Sequence, residues 1–289
     1  MSGETSIATI RAQLDAADSY LIAWTAILYW DWLSTLPKEI EFIWRAKVTP
    51  LKVAFLAQRY GTLVFMATAA TLLLADVPTS VCSKIFWLET LGLDYVLLST
   101  DVLLSIRVLA LYENSRKVFI GLLLLLVTEM SLLILAATQV RALKLPPVLG
   151  VDSCIPGDPP GTNEQMALLF YVAPFVVNAL LLLATFYRSW SITKQLQGVK
   201  LPILQHLVKD GALYFACITI VNAVNVYFYN QPYDAIKSFN VCAVVALSSA
   251  LSCRLALSLH DKASHTTSTR KISLASLPPP QSTTTVREA

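Results

Sequence analysis

Residues 118–138 read VFIGLLLLLVTEMSLLILAAT, an almost unbroken apolar run whose single charged residue is Glu129. At 1.5 Å of rise per residue such a stretch is about 30 Å long as a helix, the thickness of a bilayer's hydrocarbon core. Its apolar residues are continuous rather than alternating, which argues for a spanning helix and against a barrel strand. Six further stretches show the same character around 18–36, 53–75, 85–109, 166–187, 211–229 and 239–258. The reading is an all-α, polytopic transmembrane bundle of seven helices. Pro174 inside the fifth segment predicts a kink that neighbouring groups must satisfy.

Composition agrees. The chain has 289 residues, 55% hydrophobic and 14% charged, with a mean hydropathy of +0.60. A soluble domain carries about 25% charged residues to face water, so the principal partner is the lipid bilayer. A net charge of +3 gives no reason to expect a nucleic-acid partner. Tyr and Trp residues gather near the segment ends, as an aromatic belt requires. The polar start, residues 1–17, lacks the basic and apolar regions of a cleavable signal, so the first helix is expected to direct insertion itself.

Basic residues orient the bundle. With seven spans, one side collects Arg11, Lys84, Arg141, Lys144 and Lys237, and the other collects 16 of the 22 Lys and Arg residues, with Arg59 inside a helix. The positive side belongs in the cytoplasm. The N-tail, 1–17, is therefore extracellular, 18–258 form the membrane domain, and the Ser/Thr/Pro-rich tail, 259–289, is cytoplasmic and disordered. This topology is like that of G-protein-coupled receptors. The plasma membrane is the expected location, since no retention signal is visible.

Cys82 and Cys154 both fall on the outer, oxidising side, where a disulfide would tie the fourth connection to the third helix; two unpaired thiols are the alternative. Cys217, Cys242 and Cys253 read as small packing residues.

Ionisable residues within apolar segments are costly and should turn inward to find partners. Asp31, Arg59 and Asp101 lie at one estimated depth near the cytoplasmic side, about 8–12 Å from the boundary. The expectation is an ion network in which Arg59 pairs with Asp101, Asp31 or both; a packing device without a signalling role is the competing reading. Thr90, Asp94, Asp101 and Ser105 share one face of the third helix and make it a polar spine. Asp94 is the first candidate for a cavity wall, completed by Glu129, Asn178, Asn222 and Asn225; interhelical hydrogen bonding explains the same residues equally well. No His cluster suggests zinc, the seventh segment has no lysine for a retinal Schiff base, and no nucleophile elbow, Walker loop or dinucleotide fingerprint occurs. No enzymatic activity, metal or cofactor is expected.

The most distinctive stretch, Tyr29 to Tyr60, reads YWDWLSTLPKEIEFIWRAKVTPLKVAFLAQRY. It resembles a fungal, chiefly basidiomycete, multi-pass family built on the domain of unknown function number 6533. The matching positions are Asp31, Thr35, Leu36, Glu39, Ile40, Ile43, Trp44, Arg59 and Tyr60, and Arg107 to Tyr112 resembles the element ending that family's third helix. Trp30 and Gln58 depart from the pattern. The resemblance implies a multi-pass membrane location and no established activity. Physically, Ile40, Phe42, Ile43 and Trp44 are expected on the cytoplasmic interface, with Lys38, Arg45 and Lys47 toward anionic headgroups.

A receptor-like protein of unknown ligand leads, on topology and on Arg107 at the cytoplasmic end of the third helix, with a cytoplasmic protein partner engaged through the inner loops and tail. Against it, Ile106 rather than an acid precedes Arg107, and the seventh segment has no Asn-Pro-x-x-Tyr. A small-solute or proton transporter relaying through Asp94, Asp101 and Glu129 is the alternative, followed by a membrane scaffold without a cavity.

Overall fold

The computed structural model describes residues 2–74, 79–138, 141–144, 154–157, 164–195, 202–230 and 240–275. Seven α-helices appear among them. They are α1 (Ser2–Glu39), α2 (Pro50–Leu74), α3 (Thr79–Leu111), α4 (Arg116–Ala137), α5 (Glu164–Gln195), α6 (Pro202–Tyr229) and α7 (Val241–Ala275). Each contains one apolar segment read from the sequence. The ends differ: α1 continues through the residues expected to form an N-tail, and α7 runs on to Ala275, into the stretch expected to be disordered. Residues 276–289 lie outside the described part.

Within the long fourth connection, strands β1 (Arg141–Lys144) and β2 (Cys154–Gly157) form a pair. They run antiparallel, with Arg141 opposite Gly157 and Lys144 opposite Cys154. This hairpin packs on α3, and the sequence reading did not anticipate it.

Short connections make successive helices antiparallel, as between α3 and α4, where Tyr112–Ser115 close the turn. Glu113 and Asn114 adopt the left-handed conformation there, with φ of 56° and 57°. Helix α3 touches α2, α4, α5 and α7 and so forms the centre, while α1 closes against α7. One apolar cluster joins Leu104, Val108, Leu181, Phe215, Ile218 and Leu255 near the α3–α4 turn. Another joins Leu28, Leu63, Met66, Val96 and Val245 at the opposite half.

The surface is inverted relative to a water-soluble protein. Phe119, Ile120, Leu123, Leu124 and Val127 of α4 point outward, while Gln58, Arg59, Asp94, Asp101, Glu129 and Asn178 are buried. Outward hydroxyls satisfy themselves: Thr68, Thr71, Thr128 and Ser131 each donate to the carbonyl four residues earlier. An apolar exterior with internally satisfied polar groups is what lipid demands of a surface. Among the described residues, three helical stretches, Arg116–Ala137, Leu168–Ile192 and Val241–Ser258, are long and apolar enough to cross a membrane. Helices α1, α2 and α3 carry most of the buried charges described next.

Candidate functional site

Two ionic clusters are built into the bundle. The first begins where α1 ends. Pro37 lies in its last turn, and the helix then widens into a π-helical turn, Ile40–Trp44. Such turns are common at functional sites because they re-aim side chains. Lys52 Nζ closes this one by donating to the carbonyls of Trp44 and Ala46. The result turns Glu39 and Ile43 inward and leaves Ile40 and Trp44 half exposed. The expectation that Ile43 lies on the membrane interface is thereby corrected: its side chain packs with Phe55, Leu103, Cys253 and Leu257.

Glu39 is fully buried and meets Arg59 of α2, with Nε and Oε2 2.7 Å apart. The contact is one of opposite charges that are not aligned as a hydrogen bond. The other carboxylate oxygen, Oε1, accepts from Tyr60 Oη at 2.8 Å and Trp44 Nε1 at 3.1 Å. Arg59 also donates to the Trp32 carbonyl at 3.1 Å and to Thr35 Oγ1, and its guanidinium lies over the Phe55 ring. Thr35 in turn donates to the Asp31 carbonyl. Arg59 therefore pairs with Glu39, not with Asp31 or Asp101 as the depth argument expected. Asp31 pairs instead with Arg254 of α7, Nε to Oδ1 at 2.5 Å, with Arg254 half exposed. Asp31 and Arg59 both line a cavity of about 10 Å³ with Trp32, Ser249 and Cys253. That volume is enough for one water.

The second cluster lies between α3, α4 and α5. Asp101 lies within hydrogen-bonding reach of the Glu129 carboxyl and the Asn178 amide, and all three are buried. Asn178 Nδ2 donates to the Pro174 carbonyl at 2.8 Å, so the proline-bearing turn of α5 is braced from within. Asp94 is buried two turns from Asp101, and neither of its oxygens has a hydrogen-bond partner. Ser105 is buried one turn from Asp101 on the other side. Of the remaining candidates, Thr90 is half buried. Asn222 Nδ2 bonds its own helix at the Ile218 carbonyl, and Asn225 Oδ1 has no partner. Of the expected cavity residues, Glu129 and Asn178 come together, at Asp101, and the small cavity near Asp31 is elsewhere.

At the end of α3, Arg107 turns inward. Its Nε, Nη1 and Nη2 are all buried and have no hydrogen-bond partner. The adjacent turn is held to α5 by Tyr112 Oη donating to the Ala184 carbonyl, by Arg188 donating to the Leu111 carbonyl, and by the Arg188–Glu113 pair.

Sequence reasoning undervalued Glu39, Gln58 and Arg254. Gln58 is buried between α2 and α3, where its amide donates to Thr100 Oγ1 at 2.6 Å and its carbonyl accepts from Ser99. Glu39 had a usable signal, an acid within a basic turn beside Pro37. Arg254 was one of the 16 basic residues counted on the side assigned to the cytoplasm. Cys217, Cys242 and Cys253 are free thiols; the side chains of Cys82 and Cys154 lie outside the described residues. Among the described residues no three His, Cys, Asp or Glu side chains converge as metal ligands.

A family model described as a family of unknown function (DUF6533) matches residues 20–64. The match holds the α1 end, the π-helical turn and the start of α2, hence Asp31, Thr35, Glu39, Trp44, Arg59 and Tyr60. No curated protein matches the chain.

Proposed function

We infer that this is a seven-span, receptor-like protein of the plasma membrane, with its N-terminus outside and its C-terminus in the cytoplasm, which engages a cytoplasmic protein partner and catalyses no reaction. The observation that carries the reading is the inward, unpartnered guanidinium of Arg107. A cation at a helix end ordinarily snorkels outward, because burying it unpaired costs several kcal/mol. Burial without a partner biases the inner end of α3 toward a second arrangement in which Arg107 meets an acidic group. A bistable element of this kind is what a signal needs, because a ligand can shift only an equilibrium whose two states it distinguishes. The Glu39–Arg59 and Asp31–Arg254 pairs hold α1, α2 and α7 together beside it.

The test is Arg107→Gln in the purified chain, with a fluorescent probe on the inner end of α6. Removing the buried charge should raise thermal stability and reduce spontaneous opening at the probe. A loss of stability with unchanged probe mobility would mean that Arg107 is simply structural, and would sink the reading.

The transporter alternative needs a relay through Asp94, Asp101 and Glu129. Asp94 and Asp101 are seven residues apart, about 10 Å along the axis, and the Leu97, Leu133 and Val244 cluster lies at the level between them. This interruption favours the receptor-like reading. Proton flux in proteoliposomes that Asp94→Asn abolishes would reverse the preference.

A further inference from the structure

We propose that Asp101, Glu129 and Asn178 form a binding site for one small monovalent cation, a proton or a sodium ion, at the junction of α3, α4 and α5. The proposal is independent of the receptor-like reading.

Asp101 and Glu129 are each only 1% exposed, and they face one another. Neither carboxylate can donate, so two ionised groups in contact repel in a medium that screens poorly. The arrangement is stable when one positive charge sits between them, as a shared proton or a coordinated ion. Asp101 Oδ1 and both Glu129 oxygens accordingly find no donor in the protein.

Asn178 points to the same conclusion independently. It is 3% exposed, its amide reaches Asp101, and its Oδ1 accepts nothing. Its Nδ2 is already engaged by the Pro174 carbonyl. A buried amide oxygen left free on the side chain that reaches Asp101 is a ligand for a cation. Ser105 Oγ, also buried and without a partner, lies one turn along α3 from Asp101.

No described neighbour supplies the charge. On α2, Gln58 faces α3 as a neutral bond to Ser99 and Thr100, and Arg59 is committed to Glu39. On α5 the buried polar side chains are Asn178, Thr185 and Ser189, and on α6 Asn222 and Asn225. On α7 they are Ser248, Ser249, Ser252 and Cys253. On α3 itself Asp94 adds negative charge. Arg107 is six residues from Asp101, about 9 Å along the axis. Two carboxylates without a third acidic, His or Cys ligand suit a single charge rather than a divalent metal.

Apolar layers close the site on both sides. Leu97, Leu133 and Val244 cover it toward the hairpin end, and Leu104, Val177, Leu181 and Ile218 toward the α3–α4 turn. Loading or release therefore requires α3, α4 and α5 to part, so occupancy and bundle packing are linked.

The experiment follows thermal unfolding of the full chain in detergent across pH, in sodium chloride and in choline chloride at equal ionic strength. A ligand that binds only the folded state stabilises it by mass action. For a bound proton, the unfolding constant rises with pH by up to about tenfold per unit in choline. For sodium, stability rises with sodium at fixed pH. Glu129→Gln, whose amide can donate to Asp101 in place of the cation, should abolish whichever response the native chain shows. Should that variant not fold, infrared difference spectra of the native chain decide: the proposal requires a protonated carboxyl band at neutral pH or a carboxylate band that moves with sodium. A native chain with neither response, spectra showing neither band, or a folded Glu129→Gln variant keeping the native response overturns the site.

Discussion

Replacing Glu39 by Gln removes one charge from a buried pair and leaves Arg59, which is 4% exposed, facing an amide. The introduced amide can accept through its oxygen only. If that oxygen meets Arg59, the NH2 confronts the Tyr60 and Trp44 donors that Oε1 now accepts. If it turns toward those donors, the NH2 confronts the guanidinium. Breaking a buried pair from one side costs about 3–5 kcal/mol, largely the penalty of the stranded charge. Arg59 keeps its bond to the Trp32 carbonyl and its contact with Phe55, which places the expectation near the lower figure. At about 2–4 °C per kcal/mol for a chain of this order of size, the lower figure corresponds to a fall of roughly 6–12 °C in Tm. Arg59→Met should cost a similar amount by stranding Glu39. The double variant removes both charges and should recover most of the loss, because no buried charge is then left stranded. Thermal unfolding of the four proteins in one detergent, read as a double-mutant cycle, measures the coupling. Additive losses, or a Glu39→Gln effect below about 1 kcal/mol, would refute the reasoning. The same cycle on Arg59 and Asp101 should be additive, since the two have different partners.

Three further predictions use the same measurement. A Cβ on Gly61 would lie 2.3 Å from Tyr95 Cε1, so Gly61→Ala must displace the ring and strain the Tyr95 Oη bond to the Ala57 carbonyl. It should cost about 1–3 kcal/mol, whereas Gly121→Ala, with nothing within 4 Å, should be neutral or stabilising. Gln58→Leu removes the bonds to Ser99 and Thr100, but both hydroxyls retain the Val96 carbonyl as an acceptor, so the loss should stay near 1–2 kcal/mol. Arg188→Ala breaks a pair whose Glu113 is 81% exposed, and less than about 1 kcal/mol should be lost; a larger loss would mean that the left-handed turn depends on it.

Asp31, Arg59 and Asp101 show where sequence reading succeeded and stopped. All three were legible as costly residues in apolar segments, and Asp31 and Arg59 line one cavity. Their partners did not follow, because depth leaves each helix free to rotate about its axis. The π-helical turn after Pro37 changes that rotation locally and brings Glu39 inward. Glu129 and Asn178 were legible as costly residues in apolar segments. That they converge on Asp101 depends on α3 packing against both α4 and α5, contacts between residues 28 and 77 positions from Asp101 in the chain.

The sequence by itself determined the seven helical segments and the charged residues that turn inward. Both follow from local quantities: apolar length set against bilayer thickness, and the cost of a charge in hydrocarbon. Only the tertiary structure decided that Arg59 takes Glu39, that Asp31 takes Arg254, and that Asp101 and Glu129 face each other. Pairing requires a side chain of one helix to meet a particular side chain of another, and that depends on the mutual rotation and crossing of helices distant in sequence, which packing of the whole bundle sets.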